Sequence, residues 1–491
     1  MTVEELRQFY EGALTGGAIL SGFIATFLSF LAIAATFAAT FASPAHAQFE
    51  TRSGFTITNP DAVAVGDFNG DGKLDIAIAA IQLQVFMGNG DGTFRVPEKY
   101  ASVVGPVSVV AADFNHDGKL DLALATYLGD SVTIMLGNGD GTFSQGPVLN
   151  APSSPHFVAV GDFNHDGNLD IAAVERGPGC DCIVVFLGNG DGTFQSAINT
   201  PILDVVPNEL AVGDFDHDGK PDVAVTGAFG STNQISIWLG NGDGSFHEGN
   251  SYALGLSPES VVAVDFNHDG NLDLAVGVSE GYAISVLLGD GDGTFTSPVN
   301  YSVLFPGQVW VSDLNDDGKL DLVAACGFQP ASGACVLLGN GDGTFQPAAF
   351  YPVAPEGGPL AIGDFNGDHK PDITMGNAVG EREYVLLNTG AVEFSPTTPV
   401  NFKKQAVGTT SSAQTVKLTN TGKTELKISS MKASARFGVT STCGATVAAG
   451  ANCTISVTFS PKTKGTKSGT VTINDSASSK PQVIELSGTG T

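Results

Sequence analysis

Asp265-Phe266-Asn267-His268-Asp269-Gly270-Asn271-Leu272-Asp273 is one of seven copies of a nine-residue acidic loop in a chain of 491 residues. The other copies begin at Asp67, Asp113, Asp162, Asp214, Asp313 and Asp364, about 50 residues apart. Self-similarity at that period marks a propeller or a solenoid. In the second unit an apolar, β-branched run from Val107 to Asp113 precedes the loop, and Leu120 to Thr126 follows it. Ser131 to Leu136 then leads into Gly137-Asn138-Gly139-Asp140-Gly141, residues that accept positive φ, and Thr142 opens a fourth run. Four antiparallel strands per unit, repeated seven times, predict an all-β seven-bladed β-propeller over residues 48–395.

A second motif travels with the first. Leu-Gly-Asn-Gly-Asp-Gly-Thr-Phe starts at Leu136, Leu187, Leu239, Leu288 and Leu338, with Ser245 for Thr and Asp290 for Asn. Met87 heads the first copy, and the seventh decays to Leu387-Asn388-Thr389-Gly390-Ala391-Val392-Glu393-Phe394. These runs lack the strand-to-helix setting and the lysine of a phosphate cradle, so they read as hairpin turns. Phe49 to Ile57 resembles an outer strand with no blade before it. It is expected to close blade seven, either replacing or flanking Val392 to Ser395, because an unclosed ring leaves an open sheet edge.

Charge divides the chain. Residues 48–395 hold 10 basic and 45 acidic residues, whereas residues 396–491 hold 11 basic and three acidic. A middle at −35 beside an end at +8 implies two domains with different surfaces. The overall −29 argues against a nucleic-acid partner. Residues 17–42 are almost wholly apolar, and Ala45-His46-Ala47 has the small-x-small pattern of a signal-peptidase site. Cleavage of 1–47, with Gln48 as the mature start, is the expectation; an uncut anchor is the alternative, since Glu4, Glu5 and Glu11 outnumber Arg7. Both imply an exported protein, secreted or held at the cell surface. In that setting Cys326 with Cys335 and Cys443 with Cys453 close short disulfide loops. Cys180 and Cys182, separated only by Asp181, form a strained third pair if they pair at all.

The loop has the chemistry of a hard-cation site. Calcium takes six to eight oxygens. Position 1 offers Asp67, Asp113, Asp162, Asp214, Asp265, Asp313 and Asp364. Position 3 offers Asn69, Asn115, Asn164, Asp216, Asn267, Asn315 and Asn366, and position 5 offers Asp71, Asp117, Asp166, Asp218, Asp269, Asp317 and Asp368. Position 7 gives the backbone carbonyls of Lys73, Lys119, Asn168, Lys220, Asn271, Lys319 and Lys370. Position 9 gives Asp75, Asp121, Asp170, Asp222, Asp273, Asp321 and Asp372. Self-satisfied Asx turns account for one or two aspartates per loop, not for 22 carboxylates over positions 1, 3, 5 and 9. Up to seven Ca2+ ions are expected, the four-acid loop at Asp214 binding tightest. The loop at Asp364 should bind weakest, because His369 replaces the Gly that permits positive φ at position 6. His116, His165, His217 and His268 at position 4 read as exposed filler.

These motifs resemble FG-GAP/VCBS repeats, the calcium-bearing bacterial relatives of the integrin α-subunit head, over residues 48–395. The resemblance implies the same ligand order and a calcium-binding propeller. Leu418-Thr419-Asn420-Thr421-Gly422, Cys453 to Pro461 and Leu486-Ser487-Gly488-Thr489-Gly490 resemble the hydin/abnormal-spindle type of Ig-like domain, which in bacterial proteins includes choice-of-anchor modules. An Ig-like β-sandwich is therefore expected over 396–491.

No Gly-x-Ser-x-Gly, His-Glu-x-x-His or unrepeated His/Asp/Ser cluster occurs, so a non-enzymatic protein is expected. Departures from the repeat at Glu175 to Cys182, Gly227 to Asn233, Ser279 to Tyr282 and Gly327 to Gly333 should lie opposite the acidic loops. Tyr127, Phe229, Tyr282 and Phe328 are aromatic candidates there, with Trp310 placed in the core. The reading is an exported adhesion or binding module for a glycan or protein on that opposite face. The alternatives are a lectin or carbohydrate-active enzyme, such as a polysaccharide lyase, and an architectural surface protein attached to the cell envelope through its basic domain.

Overall fold

The computed structural model describes residues 49–177, 180–202, 206–229, 232–315, 317–328, 331–354, 358–367, 369–377, 382–388, 392–395, 400–420, 425–475 and 481–491. The apolar segment and the expected processing site at Ala45-His46-Ala47 lie outside them. Among the described residues no helix is long and apolar enough to cross a membrane.

Seven four-stranded antiparallel sheets form the propeller. Blade 2 shows the plan, with Pro106–Ala112 innermost, then Asp121–Thr126, Ser131–Gly137 and Phe143–Asn150. Burial is greatest in the second strand rather than the first. Asp121–Thr126 and Asp75–Ala79 are buried at every residue, whereas Pro106–Ala112 is partly open along the central channel. Val, Ile, Leu and Ala fill those doubly covered strands because each blade packs against two neighbours.

Blade 7 settles the closure. Phe49–Thr56 is its outer strand, pairing from Phe49 opposite Asn388 to Thr56 opposite Arg382. Phe55 then stacks near Phe86 and Phe94 of blade 1, with ring centroids 4.2 and 5.5 Å away. Val392–Ser395 takes no part. It pairs with Gln414–Asn420 in the C-terminal sandwich, so the boundary expected after Ser395 falls before Val392. The physical reason is that Phe49–Thr56 already occupies the edge of Arg382–Asn388.

The sandwich has one sheet of Val392–Ser395, Gln414–Asn420, Asn452–Phe459 and Phe437–Ser441. The second sheet contains Val400–Gln405, Gln482–Gly490, Gly465–Asp475, Leu426–Ala433 and Thr446–Val447. Strand Asn452–Phe459 alternates open and buried positions, and its inward residues Ile455, Val457 and Phe459 meet Val416, Val471 and Ile484 in the core. Cys326–Cys335 and Cys443–Cys453 are disulfide-bonded as expected, and Cys180 is bonded to Cys182 as well.

Candidate metal loops and the channel mouth

The acidic loops follow the innermost strands and share one design. In blade 1, Asp67 Oδ1 accepts the Asp71 N–H at 3.1 Å and Oδ2 accepts the Gly72 N–H at 2.8 Å. Asn69 Oδ1 also accepts from Asp71 N, and Asp71 Oδ1 accepts from Lys73 N. The side chains at positions 1, 3 and 5 thus fold the loop around themselves. Position 6 has positive φ throughout, from 65° at His369 to 93° at Gly270. Position 4 is left-handed too: His116, His165, His217 and His268 have φ of 56–61°, and Gly70 and Gly367 share the region. The histidines are therefore conformational choices, from a residue type that tolerates this region better than most, and not filler. His116 and His217 also reach the next blade, where Nε2 lies 3.3 and 2.9 Å from Asn168 and Asn271 Oδ1.

Position 9 is different in kind. Asp75, Asp121, Asp170, Asp273, Asp321 and Asp372 are wholly buried, and Asp222 is nearly so. Asp170 Oδ2 accepts the Phe163 N–H at 2.8 Å, and its Oδ1 accepts the Gly188 N–H at 2.7 Å. The same bracket recurs in all seven blades, with Asn388 replacing the glycine donor in blade 7. This explains the first Gly of the second motif: a Cβ on Gly188 would sit 2.2 Å from the Leu169 carbonyl oxygen. Burial pushes Asp170 and Asp222 up to about 6 and Asp321 to about 7, against the pull of the two backbone donors.

The donor set suits a hard cation. In blade 4 one carboxylate oxygen from each of Asp214, Asp216 and Asp218 lies within 4.8 Å of the others. Among the described residues, Asp214 Oδ1 and, in blade 6, Asn315 Oδ1 are buried and find no hydrogen-bond partner. An orphaned buried oxygen in a cluster of carboxylates is the lone pair a divalent ion would take. Lys220 Nζ sits 2.6 Å from Asp218 Oδ2 and supplies only a partial, exposed counter-charge. Asp368 lies outside the described residues.

The loops also join the blades. Phe68, Phe114, Phe163, Phe215 and Phe266 at position 2 each meet the motif-two Phe of the next blade edge-on, and Phe365 meets Phe94 across the ring closure. Gly141 N donates to Phe68 O at 3.0 Å, and Gly92 N to Phe365 O at 2.8 Å. Between blades 6 and 7 the partner turn is the decayed one. There Asn388 Nδ2 donates to Leu314 O at 2.7 Å instead.

The opposite ends of the innermost strands frame the mouth of a central channel of about 1190 Å³. Five residues before each loop, a polar side chain in four blades accepts the next blade's N–H: Ser108 from Val158, Glu209 from Val261, Ser260 from Val309 and Gln308 from Leu360. Six residues before each loop stand Asp61, Val107, His156, Asn208, Glu259, Gly307 and Gly358, all lining the channel. Sequence reasoning missed this ring. The signal was available: aligned on the loop, this position varies while the loop does not. Trp310 lines the channel while packing partly against two core clusters. Tyr282 packs edge-on against Phe305, and Tyr127 against His156. The side chains of Phe229 and Phe328 lie outside the described ones.

The chain matches a family model described as FG-GAP-like repeat at residues 79–124, 113–173, 214–276 and 313–375, and one described as FG-GAP repeat at 59–93. Residues 391–483 match the model for abnormal spindle-like microcephaly-associated, ASPM-SPD-2-Hydin domains. No curated protein matches the chain. Among solved structures, a protein from Lactobacillus plantarum is 14% identical, covers 61% of this chain and 86% of its own, and superposes with a TM-score of 0.46. A functionally unknown protein from Desulfotomaculum acetoxidans is 12% identical over 64% and 87% of the two chains, with a TM-score of 0.43. PapD-like domain 7 of human CEP192, an ASH domain, is 18% identical over 20% and 84%, with a TM-score of 0.16.

Proposed function

We propose that this chain, a seven-bladed propeller of FG-GAP repeats followed by an ASPM-SPD-2-Hydin domain, is an exported, calcium-stabilised binding module. Repeats and domain of these kinds suggest an interaction protein. The finer reading is that calcium is structural and that the ligand, a glycan or a protein, binds on the face opposite the acidic loops. The observation that carries it is the contrast between a loop repeated seven times and a mouth that differs in every blade but two.

Calcium, when bound, would supply positive charge to carboxylates that otherwise repel one another. Residues at positions 1, 3 and 5 would hold it, with the Asp214 loop the best provided. Seven ions would bring residues 48–395 from −35 to −21. Position 9 fixes the loop to the turn whether or not an ion is present. The sandwich, with 11 basic and three acidic residues, would serve as the attachment to an anionic envelope polymer.

Metal analysis of the purified protein, with thermal melts in calcium and in EDTA, tests the metal. Absence of bound calcium together with identical midpoints would overturn that part. Glycan and protein-ligand screens in calcium test the binding role; a molecule that holds no partner in either screen is architectural instead.

A further inference from the structure

The channel mouth departs from sevenfold symmetry in one arc. Blades 3 to 5 put His156, Asn208 and Glu259 on the rim, with Arg176 at the end of strand Asp170–Arg176 and Ser279 just past strand Asp273–Val278 beside them. Blades 6 and 7 put Gly307 and Gly358 there, so that rim position carries no side chain, and the neighbouring Pro306 and Pro359 add no hydrogen-bonding group. We propose that this arc binds the terminal residue of an uncharged glycan, which enters over the glycine side and is held by the polar side chains of blades 3 to 5. The inference rests on the reading that the ligand face lies opposite the acidic loops.

The polar groups are fixed before any ligand arrives. Arg176 Nε donates to the Pro207 carbonyl at 2.5 Å, and its guanidinium also donates to Asn208 Oδ1. Asn208 Nδ2 donates to the Pro258 carbonyl at 2.5 Å, and Ser279 Oγ donates to Glu259 Oε1 at 3.0 Å. This chain of bonds crosses three blades, so little side-chain entropy remains to be lost on binding.

The chemistry matches hydroxyls. A sugar hydroxyl both donates and accepts, and the arc offers guanidinium and hydroxyl donors beside carboxylate and amide acceptors. Its one cation, Arg176, faces the carboxylates of Glu259 and Asp181, so it is not a bare positive charge. Burial pushes His156 down to about 4, with Arg176 nearby adding to the effect, so the imidazole is neutral at physiological pH.

Aromatic rings flank the arc at both ends. Tyr127 meets His156 edge-on with centroids 5.2 Å apart, and Tyr282 meets Phe305 at 4.7 Å and 89°. Tyr282 and Phe305 both have positive φ, 53° and 46°, a conformation bulky residues avoid and one retained where shape matters. Such rings pair with the apolar face of a pyranose. A channel of about 1190 Å³ accepts the end of a chain and not a folded surface.

The test uses the full protein in calcium and fluorescent neutral oligosaccharides of glucose, galactose, mannose, xylose and N-acetylglucosamine. Sulfated and uronate oligosaccharides run alongside. At least one neutral probe should bind, and Glu259→Gln and Gly307→Phe should each weaken it roughly tenfold or more with the melting temperature unchanged. A Cβ at Gly307 meets nothing closer than 3.6 Å, so the backbone there accepts a side chain. Neutral-sugar binding that survives both variants overturns the inference and leaves the broader binding role standing. Binding of acidic probes alone overturns it as well. Binding of no oligosaccharide also overturns it, and a protein captured on the same face would then preserve the broader role.

Discussion

The two faces of the propeller are made from the same seven repeats and differ in what they hold constant. On the loop face, every blade keeps an aspartate at positions 1 and 9 and a left-handed residue at position 6. On the mouth face, the rim residue changes from acid to valine, histidine, amide, acid and glycine around the ring. Where a side chain must fold a loop or bracket a turn, every blade solves the same problem and arrives at the same residue. At the rim no one residue is demanded of every blade, and the position varies.

The comparison breaks first, and most severely, on metal. EDTA should lower the thermal midpoint of the wild-type protein by more than about 10 °C, because an ion that binds only the folded state stabilises by mass action. A shift within error would reduce the loop face to self-satisfied turns. Next in size are the two aspartate classes. Asp170→Ala leaves the Phe163 and Gly188 N–H groups unpaired in the interior and should cost about 2–4 kcal/mol in calcium and in EDTA alike. Asp162→Ala should cost stability mainly in calcium, so equal losses for both variants in both media would erase the distinction between positions 1 and 9.

A smaller effect comes from Glu383, wholly buried in blade 7, whose Oε1 accepts from Thr374 Oγ1 at 2.5 Å while Oε2 finds no partner among the described residues. Burial pushes its carboxyl up to about 8, from an ordinary value of 4.5. The raised value means that its favourable contribution is complete below the unfolded pKa and is lost as pH rises through the folded one. Glu383→Gln should therefore remove part of the fall in melting temperature between about pH 5 and pH 9; parallel curves for variant and wild type would refute the assignment. Smaller again, His369→Gly relieves a left-handed histidine and should gain about 0.5–1 kcal/mol. A loss there would mean that the imidazole does more than occupy the turn. Smallest of all, Glu259→Gln on the exposed rim should move the midpoint by less than about 1 °C, and a larger drop would make the mouth a structural element too.

Much of this was legible in the sequence because it is periodic. The loop spacing and the strand pattern predict seven blades, and the change of sign near residue 396 marks the second domain. What was not legible depends on contacts between distant segments. Phe49 to Ile57 left two closures open, since nothing local decides whether Phe49–Thr56 or Val392–Ser395 pairs with Arg382–Asn388. The double bracket of Asp170 needs Gly188, 18 residues on, and a ligand pattern alone does not reveal that job. The left-handed position 4 was signalled by Gly and His exchanging there, yet an exposed, variable site looked unconstrained. The mouth ring became visible only when the innermost strands were brought around one axis.

The closing strand has a mechanical consequence. The polypeptide enters the wheel at Phe49 and leaves it at Asn388, and these two residues face each other at the same end of an antiparallel ladder. Tension between the two attachment points would therefore peel the ladder one bond at a time, starting at Phe49, rather than shear all its bonds together. A wheel tethered on both sides has its weakest seam in blade 7, where a modest pull would part it.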